Sequence, residues 1–208
     1  LRPGVRFHDC TCFPGGAGRE LTADDVVYTF KRFADANVNV KSWSLLVDTI
    51  VGFDEFRAAT QRDGAATDYA KLDIAGIKAL GKHEFTIELR APNATFAHLL
   101  AISSLGITPV EAVRAFGADF GAKAVGSGPF MLERADNKGL VRLTKYTRYH
   151  RRYPGAEGSH PDAGKPLPLV DVIEMPLVEE TQPAVLMLLE GKFDAGTLDR
   201  PTFSKMLE

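Results

Sequence analysis

Apolar residues fall into short periodic runs along the whole chain. Val26, Val27, Phe30 and Phe33 repeat at the spacing of one helix face and predict a helix over about 23–33. Thr22 stands at its cap and Asp25 at the third helical position, a capping-box pair, with Leu21 and Val26 at staple positions. Asp24 and Asp25 also suit the positive end of the helix dipole. A second apolar stretch, 45–56, reads as helical although Gly52 interrupts it. Leu72, Ile74 and Ile77 read as a strand that turns near Gly81 and Lys82. Phe85, Ile87 and Leu89 then alternate with Thr86, Glu88 and Arg90, the pattern of a half-buried strand ended by Pro92. Phe96, Leu99 and Leu100 suit a short helix. Thr108, Pro109 and Glu111 predict another helix start, with Thr as cap and Pro first, stopped at Gly117. Segments 130–134 and 140–146 predict a hairpin around 137–139, and 154–168 a Pro- and Gly-rich surface loop. Val170, Val172, Ile173 and Met175 read as a strand, 184–189 as a helix stopped by Gly191, and 193–198 as a strand. Strands and helices alternate throughout, so the expected fold class is α/β.

Composition narrows the class. The 208 residues are 45% hydrophobic and 25% charged, within the range of folded globular proteins, and that excludes a disordered chain. Lys+Arg 25 against Asp+Glu 27 gives −2, which argues against a generic nucleic-acid binder. The longest apolar run, 184–189, is far short of the ~18 residues of a membrane-spanning helix. Two cysteines exclude a disulfide scaffold and a Cys-rich zinc module. The chain opens without Met or a leader, and Phe203, Met206 and Leu207 begin a helix face at its other end; we expect a piece of a longer protein.

Few segments carry chemistry. Residues 125–129, VGSGP, lack the outer glycines of a nucleophile elbow and the third glycine of a dinucleotide fingerprint, and no helix pattern follows. They read as a tight entry into a strand. His8, Asp9, Cys10 and Cys12 are four metal-ligating types in one stretch, but Cys-x-Cys without a second cluster is not a zinc signature. With Pro14, Gly15 and Gly16 beside them, the two cysteines are expected in an exposed loop, and a disulfide between them would be strained. Segment 142–153 interleaves Lys145, Arg148, Arg151 and Arg152 with Tyr146, Tyr149 and Tyr153, a pattern that serves either single-stranded nucleic acid or the solvated end of a strand. The five histidines are scattered, no HExxH occurs, and no catalytic or metal-binding set is picked out.

Taken together, several segments resemble the family 5 extracellular solute-binding proteins, receptors of ABC importers for oligopeptides, dipeptides and nickel. Residues 1–9, LRPGVRFHD, resemble the family's LRxGVxFHDG stretch, and 21–32, LTADDVVYTFKR, its LTAxDV helix. FTIELRAP at 85–92, PVEAV at 109–113 followed by GSGPF at 126–130, and EGKFD at 190–194 follow in the family's order. Cys10 replaces the usual glycine after HD, and 10–19 forms an expanded loop.

The resemblance implies part of a two-lobed periplasmic-binding-protein-like fold of class II type, comprising the first lobe and its small subdomain only. By it, 1–107 is the small α/β subdomain, 108–200 the middle portion of the first lobe, and 201–208 the start of the crossing to the second lobe. It implies a substrate-binding component that captures short peptides or a similar small solute outside the cytoplasm. The protein would be monomeric, periplasmic or extracellular, with a lipoprotein anchor as one form, and served by a membrane permease. No cofactor, metal, catalytic residue or nucleic-acid partner is implied. Trp43, Gly196, Thr197 and Leu198 are the ligand contacts it suggests; the residues alone leave Trp43 open between a contact and a core anchor packed on Leu46 and Ile50. The alternatives are a hydrolase or transferase whose site is completed by the missing half, and a nucleic-acid-binding module built on 142–153.

Overall fold

The computed structural model describes residues 1–135, 139–156, 158–178, 180–197, 200 and 202. They divide into two units: Leu1–Met131 with Lys145–Asp171, and Leu132–Thr144 with Val172–Glu208.

In the first unit, helix α1 spans Ala23–Ala34. The Asp25 carboxylate closes the capping box, accepting the Thr22 backbone N–H at 2.9 Å and its hydroxyl at 3.2 Å. The expected stripe is the buried one: Val26, Phe30 and Phe33 are almost inaccessible, while Val27 lies at its margin. The continuous helix expected over 45–56 does not form. A 3₁₀ turn at Lys41–Leu46 gives way to an irregular stretch, and α2 occupies Phe53–Asp63. Left-handed backbone at Asp48 (φ 52°) and Gly52 (φ 80°) breaks the helical path. A Cβ on Gly52 would lie 2.6 Å from the Ala75 nitrogen, so glycine is needed there. The apolar residues of 45–56 therefore reach the core from three separate local structures.

Strands β1 (Ile77–Gly81) and β2 (Glu84–Ile87) form an antiparallel hairpin. Leu72 and Ile74, expected within the first strand, precede it as loop; Ile74 is nevertheless buried. A short helix α3 spans Phe96–Leu99. Helix α4 spans Val110–Phe116, with Pro109 rather than Thr108 at the cap position and Gly117 (φ 51°) at its end. The expected Thr cap is displaced because Thr108 gives its backbone N–H to the Thr29 hydroxyl and its own hydroxyl to the Gly106 carbonyl. Two apolar clusters result. One gathers α1, α2 and the hairpin around Phe30, Phe33, Leu46, Ile50, Phe53 and Ile77. The other joins Phe7, Phe13, Leu21, Ala112 and Val125.

The second unit is built on a sheet ordered β3 (Phe130–Ala135), β4 (Leu140–Lys145), β5 (Val172–Pro176), with β4 and β5 antiparallel. Residues 136–138 of the expected hairpin turn lie outside the described residues. Helix α5 spans Thr181–Leu189. The strand expected over 193–198 does not form: 193–197 pair with no strand among the described residues, and 198 lies outside them. An apolar run becomes a strand only through a ladder partner, which periodicity alone does not supply. The helix pattern at 203–207 also falls outside the described residues.

Candidate functional site

Two motif segments far apart in sequence meet at His8. Its backbone N–H donates to the Gly126 carbonyl at 2.7 Å. Its ring Nδ1 accepts the Gly126 N–H at 3.3 Å, so the proton sits on Nε2, which donates to the Gly128 carbonyl at 3.0 Å. Burial lowers the His8 pKa below its ordinary value, outweighing the opposite effect of the Gly128 carbonyl. The neutral imidazole thus works as a backbone clamp. Tyr146 packs edge-on against it at 4.9 Å and donates its buried hydroxyl to the Phe7 carbonyl at 2.9 Å. Asp9 accepts the Gly18 N–H at 2.8 Å and is paired with Arg148. Gly18 admits no side chain, since a Cβ would stand 1.9 Å from the Phe7 carbonyl oxygen. The segment after Gly128 enters β3 directly, with no helix.

Arg19 is a second joint. Its guanidinium takes the buried Asp25 carboxylate through two bonds of 2.7 and 2.8 Å, and Glu111 through two of 2.6 and 2.8 Å. It thereby ties the start of α1 to α4, with its guanidinium 5.3 Å from the Phe7 ring centroid. Both carboxylates hold it firmly charged, Asp25 contributing most, and Arg19 in turn lowers the Glu111 pKa.

Cys10 and Cys12 are free thiols and half-buried against the second apolar cluster, not in the exposed loop expected. Phe13 draws the loop inward, because its ring belongs to that cluster and stacks on Phe7 at 6.1 Å. The Cys12 thiol is pushed up to about 12, mainly by burial and then by the Cys10 sulfur, so it stays protonated. Among the described residues no three His, Cys, Asp or Glu side chains gather as a metal would require.

The basic stretch 142–153 is largely occupied internally. Arg142 pairs with Glu133 and Glu174, Lys145 with Asp171, Arg148 with Asp9, and Arg152 donates to the Gly164 carbonyl. Tyr146 is buried, so it offers no stacking face.

Trp43 is half-buried against the first cluster, which contains Leu46 and Ile50, and the Arg57 guanidinium lies 3.7 Å from its ring centroid. Gly196 and Thr197 are exposed residues of the second unit, and Leu198 lies outside the described residues. The geometry also shows a feature that sequence reading passed over: a groove of about 1040 Å³ along the outer side of α1, reached by Tyr28, Arg32, Tyr69, Val113 and Arg114. Its one sequence signal is the i, i+4 spacing of Tyr28 and Arg32 opposite the buried stripe.

The segments that meet at His8 and Arg19 lie within a single family profile: that of the bacterial extracellular solute-binding proteins, family 5 Middle, matches residues 1–207. The chain belongs to this family. Di/tripeptide-binding protein 2 of Pseudomonas aeruginosa (strain UCBPP-PA14) is 27% identical over 162 residues, 76% of this chain and 27% of the relative. A dipeptide-binding protein of Lactococcus lactis subsp. cremoris is 29% identical over 119 residues, 56% of this chain and 20% of the relative. The chain spans about a quarter of the length of the curated relatives it matches. Among solved structures, a periplasmic oligopeptide-binding protein from Borrelia burgdorferi superposes with TM-score 0.70 at 20% identity, over 93% of this chain and 33% of the other. An oligopeptide transporter substrate-binding domain from Bacillus anthracis gives 0.69 at 19%, over 99% and 34%. The fold is therefore that of part of a periplasmic binding protein, mixed helix and sheet. In this family 5 chain, the LRPGVRFHD and GSGPF segments form the His8 clamp and LTADDV with PVEAV the Arg19 joint; both are structural.

Proposed function

We propose that the chain forms part of the ligand-binding body of an ABC importer's solute-binding component, which captures short peptides or a related small solute outside the cytoplasm. The observation that carries this reading is the family profile over 1–207, and the names of the curated relatives point the same way. A solved Helicobacter pylori periplasmic binding protein of the same fold was obtained in complex with the peptide STSA. The role is binding rather than catalysis: the histidine and arginine of the two motif joints are saturated by structural partners. In this reading 1–107 is the small subdomain, 108–200 the middle of the first lobe, and 201–208 the start of the crossing. The parent works as a monomer, periplasmic or extracellular, beside a membrane permease, and a lipid anchor is one way to hold it there. Trp43, Gly196, Thr197 and Leu198 are put forward as ligand contacts on the family resemblance.

Calorimetry of the parent protein with di- and tripeptides tests this. We expect saturable binding that is tighter than in the 208-residue chain alone, which should bind no tighter than about 10 µM because closure is lost. Trp43→Ala in the parent should weaken binding by about 1–3 kcal/mol with little change in the melting of the ligand-free form. A folded parent that takes no peptide overturns the peptide reading; unchanged affinity with a lowered melting temperature overturns the Trp43 assignment alone.

A further inference from the structure

The groove outside α1 has a charge pattern that its own residues do not use up. Four acidic side chains reach it, and three are engaged. Asp25 is held by Arg19. Asp35 accepts the Tyr69 hydroxyl at 2.6 Å and the Asn37 N–H at 2.8 Å. Asp68 accepts the Ala70 N–H at 3.0 Å and faces Lys71 at 3.5 Å. Lys31 is likewise occupied, by Asp73 and the Tyr69 carbonyl. Asp24 lies two turns before Arg32 on α1, about 12 Å along the helix axis.

What is left is concentrated near Arg32. Tyr28 and Arg32 are one turn apart on α1, and Val110, Val113 and Arg114 present the same spacing from α4. Among the described residues neither guanidinium belongs to an ion pair, and the Tyr28 hydroxyl has no hydrogen-bond partner. Arg32 is half-buried, with its guanidinium 5.6 Å from the Phe120 ring centroid, which limits its orientations. The Tyr28 and Tyr69 rings meet at 5.8 Å and form an aromatic wall. Burial raises the Tyr28 phenol, keeping it a donor; Arg32 and Arg114 pull the other way, and Glu111, itself held by Arg19, adds to the rise.

A guanidinium pair with a phenol donor calls for an anionic group, and the valine and tyrosine walls call for an apolar body. The carboxylates of Asp24, Asp35 and Asp68 in the same groove repel a dianion, which favours one negative charge over two. We propose that this groove binds a singly charged organic carboxylate with a ring-sized apolar body, held through Arg32, Arg114 and the Tyr28 hydroxyl, with the body against Tyr69 and Val113. This site is independent of the peptide reading above.

The test is an NMR titration of the isotope-labelled 208-residue chain with benzoate, benzamide and inorganic phosphate in parallel. Benzoate should give saturable shifts at Tyr28, Arg32 and Arg114, and benzamide, its neutral analogue of similar shape, should bind at least about tenfold more weakly. Arg114→Gln alters an exposed side chain and should weaken benzoate about tenfold; Tyr28→Phe, which removes only the hydroxyl, should weaken it less. Three results overturn the proposal: no shift up to about 20 mM benzoate, equal binding of benzamide, or phosphate moving the same signals as strongly as benzoate. Unchanged benzoate binding in both variants overturns it too.

Discussion

The first unit buries most of what its sequence makes apolar; the second buries little of it. Phe7, Phe53, Leu46 and Ile50 are wholly inaccessible in the first unit, and Phe33 almost so. Each such side chain stabilises a fold by about 1.5–3 kcal/mol. In the second unit Val185 is the buried apolar residue among those described, while Leu177, Leu186 and Leu189 are 66, 57 and 59% exposed. Yet α5 is apolar on every side from Ala184 to Leu189, more so than α1, which carries six charged or hydroxyl-bearing residues per twelve in Asp24, Asp25, Thr29, Lys31, Arg32 and Tyr28. Apolar content therefore does not measure local stability. An opposing surface does, and α1 has three: α2, β1 and the turn at Ser103–Leu105.

The largest effect should come from emptying the first core. Phe53→Ala should cost about 3–5 kcal/mol by denaturant unfolding. A cost under about 1 kcal/mol would mean that this core is loose and the contrast between the units is not real. Next, Arg19→Met removes the partner of a buried Asp25 and the link to α4. It should cost about 2–3 kcal/mol, less than a fully buried pair because Arg19 is itself 34% exposed. A double-mutant cycle with Glu111→Gln should show strong coupling.

The His8 clamp should make the first unit acid-sensitive. Its folded pKa lies below the ordinary 6.5, so the unfolded chain takes up the proton first. The clamp's contribution is whole above about 6.5 and is lost as pH falls toward the lowered folded value. Unfolding curves at stepped pH should show this decline, and His8→Gln should flatten it; an equally steep decline in the variant would assign the sensitivity elsewhere. The smallest effect belongs to the second unit: Leu186→Ala should change stability by no more than about 0.5 kcal/mol, since its side chain is mostly in water. Hydrogen exchange sharpens the same contrast. Amides of α1 should be protected and those of α5 should exchange early, each ordering tied to burial.

Local chemistry was legible wherever neighbours in sequence settle it. The Thr22–Asp25 cap, the alternation of Phe85 and Ile87, and the stop at Gly117 all follow from interactions within four residues, and the structure has them. Gly52 breaks the helical path for a longer-range reason: it stands at the cap of α2 rather than weakening a longer helix, and Ala75, over twenty residues away, leaves no room there for a Cβ. The run at 193–198 reads as a strand, but a ladder partner is a property of the assembled sheet. Cys10 and Cys12 read as exposed because Pro14 and two glycines follow, yet Phe13 carries the loop into a cluster with Ala112 and Val125. The order of the family motifs was visible in the chain, and their purpose was not. That His8 clamps Gly126 and Gly128, that Arg19 bridges Asp25 and Glu111, and that Tyr28 and Arg114 line one groove depend on groups some eighty to one hundred and twenty residues apart. Periodicity and capping are short-range and written in sequence; partners, burial and the charge left over after pairing exist only once the chain has closed on itself.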